Sequence, residues 1–585
     1  MIQTVDFQNS VAAVRRPGQP VAYYLGGTAA GGSIDLCAMI ASHAYDWLED
    51  LAAAHAEIIE AEAARSGDIW LSGASRLDAR PWGQAALIKP LFFARAIVRW
   101  LEENPGAPGL AVVDASPDVA RHLREMAPEI RVTGTGEAAG RTPSAAVRFI
   151  RLTIWAWRDM IAMIRNHRGL QCRPGTTARA LLLVQPVRGR PFRDAHTYFF
   201  TTLLDERSAA GVAVAVTGTV DRAARAAAPG SVEQSDPLCL FDGVTPGEAL
   251  TAFIAAVVYA ARVHLHLPRA GAQARGIGHT ALFWRRFANQ LVDPGELFHA
   301  LIVRSRLARL ISGGGFRKVV FPYEEKGIER AVIQACATQQ AATLGYVPHP
   351  QHRLLVALQD RRASTCPKPD GYALCGNAYI DFFRTWAAKT SAPLAVWGSG
   401  KGIVEAAEPR PARQGRRSVV LALSHPEEVI LLGIWLKCRP DITREVDLGL
   451  RPYPAADPVL FDRALTEIRR THPAVAVSTG DLRSDVRHHD AVAFCATSAG
   501  LEAVIMGAVG LFVDLTDGFP INPCFDDTSA FRPSSTAGEL AGNLAWLAQA
   551  DEDALHNLRT RQIAAASQIF GPPDKSAVLQ SVRCP

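Results

Sequence analysis

The sequence predicts an α/β protein built from two Rossmann-like halves with a cleft between them, preceded by a smaller N-terminal α/β domain. Three observations predict it. The chain has 585 residues, more than one hydrophobic core can serve, so about three to four domains are expected. Apolar runs of strand length alternate with helical stretches along most of the chain, the βαβ rhythm of a parallel sheet. An Arg/Pro-rich stretch, EPRPARQGRR at residues 408–417, interrupts that rhythm and reads as a flexible joint between two such series.

The balance of residues fits a globular chain. Hydrophobic residues make up 48% and charged residues 20%, which excludes a disordered or fibrous protein. A net charge of +5, with no dense Lys/Arg stripe interleaved with aromatics, argues against nucleic acid as a partner. Ten cysteines are scattered without a C-x-x-C pair or a tight Cys/His grouping, so they read as reduced, core-filling thiols rather than zinc ligands. The opening MIQTVDFQNSVAAVRRPG lacks the apolar segment of a signal peptide, and no stretch reaches about 20 uncharged apolar residues. The expected location is the cytoplasm.

Residues 1–140 supply VAYYLGG, a helix through Asp46 to Arg65, DIWLSG, a helix through Leu87 to Glu103, GLAVVD and IRVTG, and read as the N-terminal α/β domain. The glycine-rich Gly26–Gly32 after the first run lacks the Lys-Ser/Thr of a P-loop. A connecting segment, 141–175, contains SAAVRFIRLTIWAWRDMIAMIRNHRG, whose Trp and aliphatic residues are broken by Arg148, Arg151, Arg158, Arg165 and Arg168. It is a basic amphipathic helix, which either packs on its neighbours or lies in an anionic membrane surface. Residues 176–407 form the first Rossmann-like half, with ARALLLVQPV, GVAVAVTG, a helix-rich insertion to about residue 310, RKVVFPY, AATLGYV and DGYALCG. Residues 418–585 form the second, with SVVLALS, EVDLGLRPYP, VAVSTG, DAVAFCATS and GLFVDL.

Within the second half, DAVAFCATSAGLEAVIMGAVGLFVDL places a buried strand before Ala496-Thr497-Ser498-Ala499-Gly500 and starts a helix there, with Glu502 in its first turn. Small residues let a ligand approach the backbone, and free N–H groups with the helix dipole favour a phosphate. The same pattern is also an ordinary strand-to-helix turn with a Ser N-cap.

Three sets of blocks carry a resemblance. The strand, the Thr497-Ser498 pair, a small residue, Leu501-Glu502-Ala503 and Gly507 form the first, and the strand ending in Arg451-Pro452-Tyr453-Pro454 forms the second. The third runs Phe321-Pro322-Tyr323-Glu324-Glu325-Lys326-Gly327-Ile328-Glu329-Arg330, then Gly345-Tyr346-Val347-Pro348-His349-Pro350, then Pro367-Lys368-Pro369-Asp370 and Gly376. Over about residues 178 to 560 the chain resembles GT-B glycosyltransferases, in particular bacterial surface-carbohydrate-biosynthesis proteins of the O-antigen and capsule type. It departs from their pattern where Arg451 and Tyr453 replace Lys and His, where Val347-Pro348 replaces Gln, and where Ile328 replaces Trp.

The resemblance implies a glycosyltransferase that moves a sugar from a nucleotide-sugar donor to a surface polysaccharide or lipid-linked glycan. Arg451, Tyr453, Thr497, Ser498, Ala499, Gly500 and Glu502 then hold the donor, with His425 at the cleft mouth, and Arg188 and Arg190 meet the acceptor. An inverting transferase needs a base for the acceptor hydroxyl. Glu325 or His349 is the first choice for it, and Glu324 and Asp370 are further candidates. The acids at Asp551-Glu552-Asp553 lie in a helical stretch, so a metal-independent reaction without a cofactor is expected, at the inner face of the cytoplasmic membrane if the basic helix binds lipid. A GT-B-fold sugar epimerase, a polyol-phosphate transferase and an inactive glycan-binding scaffold are the alternatives.

Overall fold

The computed structural model describes residues 21–23, 33–34, 36–71, 85–105, 111–113, 131–133, 145–167, 178–184, 211–217, 238–273, 293–350, 365–381, 392–399, 415–422, 445–452, 458–515, 522–524 and 528–583, with a few isolated positions between them. Three sheets organise them, and every strand pair in each is parallel.

The N-terminal sheet holds β1 (Val21–Tyr23), β2 (Ser33–Ile34), β3 (Ala111–Val113) and β4 (Arg131–Thr133) in the order β2-β1-β3-β4. Helices α1 (Leu36–Arg65) and α2 (Ala85–Glu103) belong to this unit, joined through Trp47, which meets Phe92 edge-on at 5.6 Å. The first helix begins ten residues before Asp46. The apolar run DIWLSG reads as a strand in the sequence, but Gly67–Leu71 is a 3-10 helix. The reason is local and tertiary together: the run follows α1 with only Ser66 between them, and Ile69, Trp70 and Leu71 are all buried, a pattern a one-sided strand does not give. Helix α3 (Ala145–His167) is the basic amphipathic segment.

The middle sheet holds β5 (Ala180–Val184), β6 (Val212–Val216), β7 (Leu238–Cys239), β8 (Lys318–Pro322), β9 (Ala342–Val347), β10 (Gly371–Leu374) and β11 (Leu394–Val396). Its spatial order is β7-β6-β5-β8-β9-β10-β11. Numbered from its own first strand this is 3-2-1-4-5-6-7, the doubly wound arrangement. The continuous apolar runs in β5 and β10 are buried along their whole length, as strands covered on both faces require. Between β7 and β8 run α4 (Pro246–Gln273) and α5 (Pro294–Gly314). Asp293 caps α5 by accepting from the Gly295 amide, Pro294 fills its first turn, and Gly315 at φ 65° closes it. After β8, α6 (Gly327–Thr338) starts where the Glu329 carboxylate accepts from the Lys326 amide at 3.0 Å and the Glu324 amide at 2.7 Å, satisfying donors that a helix start leaves open.

The third sheet holds β12 (Ser418–Ala422), β13 (Asp447–Arg451), β14 (Ala476–Val477), β15 (Ala491–Phe494) and β16 (Val509–Phe512), ordered β14-β13-β12-β15-β16, again 3-2-1-4-5. Along this part of the chain run α7 (Pro458–Thr471), α8 (Leu482–His488), α9 (Ser498–Ile505), α10 (Ala537–Gln549), α11 (Glu552–Ile569) and α12 (Lys575–Val582). Asp551 caps α11 through the Ala554 amide, and Arg417 holds Glu552 at 2.7 Å, which accounts for two of the three acids at 551–553.

Helix α11 leaves the third sheet and returns the chain to the middle one. Leu555 and Leu558 sit in the core of the third sheet, whereas Ala566 and Ile569 belong to the core of the middle sheet. Beyond it the Gly571 amide donates to the Cys375 carbonyl (2.8 Å), the Asp574 amide to Trp397 (2.8 Å), and Lys318 Nζ to the Ser581 carbonyl (2.9 Å). The sequence reading assigns 418–585 to one unit; the last residues of that span pack against the middle sheet instead. Gly398 makes room for this return, since it has φ +73° and a Cβ there would stand 1.9 Å from the Pro572 carbonyl oxygen.

Candidate functional site

In a doubly wound sheet the connections leave in opposite directions on either side of the first strand, and a crevice opens outside the carboxyl ends there. In the third sheet that point lies between β12 and β15. Strand β15 leads through Cys495 and Ala496 straight into α9, so the turn singled out in the sequence stands at the crevice. Thr497, not a serine, is the N-cap: its Oγ1 accepts from the Ala499 amide at 3.2 Å. Ser498 Oγ donates to Glu502 Oε1 at 2.9 Å. Burial, with the Glu428 and Asp514 carboxylates, holds the Cys495 thiol well above its ordinary range, so it stays protonated and is no nucleophile.

Gly500 has a different purpose from the one its smallness suggests. It lies on the buried side of α9, and a Cβ there would come within 2.0 Å of the Phe494 ring, which is itself packed edge-on against Phe512 and Phe531. Close packing of helix on strand requires it, rather than approach of a ligand to the backbone. Gly500→Ala is expected to lower stability by about 1–3 kcal/mol through overpacking, read as the midpoint of chemical denaturation. Adding Phe494→Leu should recover part of the loss, and an unchanged midpoint in Gly500→Ala would remove this account.

The Arg451 guanidinium donates to Asp485 Oδ2 at 2.6 Å and to the Gly480 carbonyl at 2.8 Å, and Ser478 Oγ donates to Asp485 Oδ1 at 2.5 Å. Its side chain therefore ties the end of β13 to the start of α8. Tyr453, His425, Arg188 and Arg190 lie outside the described residues, as do the glycine-rich Gly26–Gly32 and residues 408–414 of the linker.

In the middle sheet the corresponding crevice lies between β5 and β8. Strand β8 ends there in Tyr323-Glu324-Glu325, and β9, its neighbour, leads to His349. Glu324 and His349 come together: His349 Nε2 stands 3.4 Å from Glu324 Oε1, while Lys326 Nζ pairs with the other carboxylate oxygen. Both side chains keep some exposure, 28% and 12% for His349 and Glu324. An imidazole oriented by a carboxylate can take a proton on its other nitrogen, and the carboxylate stabilises the imidazolium that forms.

Glu325 points elsewhere. It is 5% exposed, its backbone is left-handed at φ 62°, and its carboxylate accepts from Tyr323 Oη at 3.4 Å and lies 3.9 Å from Arg330 Nη2. Arg330 is entirely buried, donates to the Trp70 carbonyl at 3.3 Å and stacks over the Trp70 ring at 5.7 Å. Burial first, then the Glu325 carboxylate, keeps the Tyr323 and Tyr372 phenols well above their usual range and protonated. Glu325 is thus part of a buried junction with the N-terminal unit, not a base at the crevice. Asp370 is also displaced from the site, because it precedes β10 and so stands at the amino ends of the parallel strands. There its carboxylate accepts from the Thr343 amide (2.8 Å) and hydroxyl (2.7 Å).

Two clusters escape sequence reasoning because each joins a pair of near neighbours to a residue far away in the chain. One is the Trp70–Glu325–Arg330 junction. The other is His167, Cys239 and Asp242, whose candidate ligand atoms lie within 4.8 Å of one another, against the expectation of no Cys/His grouping. His167 Nδ1 is 3.0 Å from Asp242 Oδ1, the Gly243 amide donates to the His167 carbonyl at 3.1 Å, and Arg306 donates to the Asp242 carbonyl. These bonds fix the end of α3 to the turn after β7, and the arginine places a positive charge beside the cluster.

No protein-family model matches the chain, and no curated protein does. Among solved structures, the chain is similar to MurG of Acinetobacter baumannii, at 10% identity over 69% of this chain and 99% of that one, TM-score 0.38. It is similar to the glycosyltransferase SnogD of Streptomyces nogalater, at 17% identity over 69% and 98%, TM-score 0.35. It is also similar to UGT71G1 of Medicago truncatula complexed with UDP-glucose, at 10% identity over 69% and 98%, TM-score 0.39. Against the pneumococcal O-GlcNAc transferase GtfA the match covers 48% of this chain and spans 58% of that one, at 14% identity and TM-score 0.33.

Proposed function

We propose that the chain is a GT-B glycosyltransferase that transfers a sugar from a nucleotide-sugar donor to a hydroxyl of a surface polysaccharide or lipid-linked glycan. One observation carries the reading. Two sheets of doubly wound order each present reactive polar groups at their crevice, the Thr497-Ser498 turn in one and the Glu324–His349 pair in the other.

In this reading the donor phosphate takes the first-turn amides of α9 and the hydroxyls of Thr497 and Ser498. Glu502, acceptor-only when ionised, exchanges the Ser498 hydroxyl for a sugar hydroxyl. His349 removes the proton of the acceptor hydroxyl, and Glu324 orients it and stabilises its charge. The sequence blocks that resemble surface-carbohydrate enzymes favour a glycan acceptor over a small molecule.

Calorimetry against UDP-, GDP-, CMP- and dTDP-sugars tests the donor site. One nucleotide sugar is expected to bind, and Thr497→Ala with Ser498→Ala to weaken it about tenfold or more, the worth of hydrogen bonds to a charged group. Unchanged affinity would sink the site. Product analysis without an acceptor separates the related chemistry, since an epimerase alters the nucleotide sugar by itself.

A further inference from the structure

On α3, Val147, Ile150, Ile154, Trp157 and Ile161 follow one another at spacings of three and four, so they share one face, and all are exposed. On α4, Leu250, Ile254 and Val258 recur every four residues with Leu265 seven further on, and these too are exposed. The two helices lie side by side and antiparallel: Phe149 stacks with His264 at 6.1 Å, and Trp157 meets Phe253 edge-on at 5.4 Å. Their two stripes therefore lie on neighbouring helices as one apolar surface, of a kind that soluble monomers seldom show to water. Trp155, 64% exposed, stands at its border.

A row of cations runs along this surface. Arg151, Arg158 and Arg165 recur every seven residues, each one position after a place on the apolar stripe or its continuation, and Arg148 lies a turn before. All four are exposed, and no described residue pairs with them. The single acid of α3, Asp159, lies 3.7 Å from His299 Nε2.

We propose that the outer face of α3 and α4 docks on an anionic lipid bilayer, with the aliphatic and Trp side chains in the acyl boundary and the four arginines against lipid headgroups. The proposal stands on this surface and not on the transferase reading. Charge selects the occupant: a second copy of the chain would set four arginines against four, whereas an anionic membrane supplies the opposite sign. Depth is limited by packing. The segment Pro246–His266 is long and apolar enough to cross a membrane, but Ala249, Ala256, Tyr259, Ala260 and Val263 are buried against the protein, and Glu248 and Arg262 pair with Arg309 and Glu62. The helix therefore lies in the interface and does not span it.

The test is co-sedimentation of the full chain with phosphatidylcholine vesicles, with and without phosphatidylglycerol. Binding is expected to the anionic vesicles, to weaken with salt, and to fall about tenfold or more in Arg151→Ser with Arg158→Ser. Ile154→Asp on α3 and Val258→Asp on α4 should each abolish it with unchanged thermal melting, because both side chains are already in water. Absence of binding by the unaltered chain, equal binding to neutral vesicles, or binding indifferent to these variants would overturn the proposal. So would a change from dimer to monomer in Val258→Asp by light scattering, which assigns the face to a second copy. Nucleotide-sugar calorimetry on the same samples keeps the readings apart: vesicle binding without nucleotide binding ends the transferase reading alone, and the reverse ends this one alone.

Discussion

Arg330→Ala is expected to be strongly destabilising, costing about 3–5 kcal/mol, because it takes a buried cation from beside a buried carboxylate. The Arg330 side chain is 0% exposed and is the cation facing Glu325, which is itself 5% exposed. Removing it also ends the bond to the Trp70 carbonyl and the stacking on the Trp70 ring. A folded domain holds about 5–15 kcal/mol in all, so the loss is a large share of the total. Chemical denaturation should show the shift, and limited proteolysis should release the N-terminal unit first, since Arg330 joins α6 to the 3-10 helix at Gly67–Leu71. The pair Arg330→Met with Glu325→Gln should regain much of the loss, because it removes both buried charges together. If Arg330→Ala alone melts like the parent, the junction contributes nothing and the Glu325 assignment reopens.

The second large effect concerns turnover. His349→Ala is expected to lower the rate of transfer about 10²–10⁴-fold, the range for loss of a positioned general base. Nucleotide-sugar affinity should stay within about twofold, because the imidazole belongs to the other crevice. Glu324→Gln keeps the shape but removes the carboxylate that faces His349 Nε2 at 3.4 Å, and should give a smaller fall together with an altered pH profile. Rates measured under saturating donor decide the matter. A His349→Ala enzyme with normal turnover and a Glu325→Ala enzyme without any would exchange the roles assigned to these residues.

The two residues show why a candidate site is only partly legible in a sequence. By type and by position after a strand, Glu325 or His349 is the first choice of base and Glu324 a further candidate. Nothing in their spacing reveals that the left-handed backbone at Glu325, φ 62°, turns one of two adjacent acids into the protein and leaves the other at the crevice. Asp370 fails for a related reason. In a parallel sheet the two ends of a strand are chemically alike in sequence, but only the carboxyl end faces the crevice. Arg451 reads as a phosphate ligand, and nothing in the sequence marks its partner Asp485, 34 residues on, at 2.6 Å.

Local structure is written in the chain's own residues. Continuous apolar runs placed β5, β8, β9, β10, β12, β13 and β15, and the strand-to-helix turn at 495–498 was visible in its residues, because strand burial and helix capping are decided within a few positions. The amphipathic pattern of α3 was equally readable. The tertiary structure alone decided what distant segments do to one another: which strands are neighbours, that Gly500 yields to the Phe494 ring, that Arg330 reaches Trp70 across 260 residues, and that α4 lies alongside α3 to widen its apolar face. Such contacts depend on loop closure between segments whose sequences carry no mark of their partners, whereas a helix or a strand is written in its own periodicity.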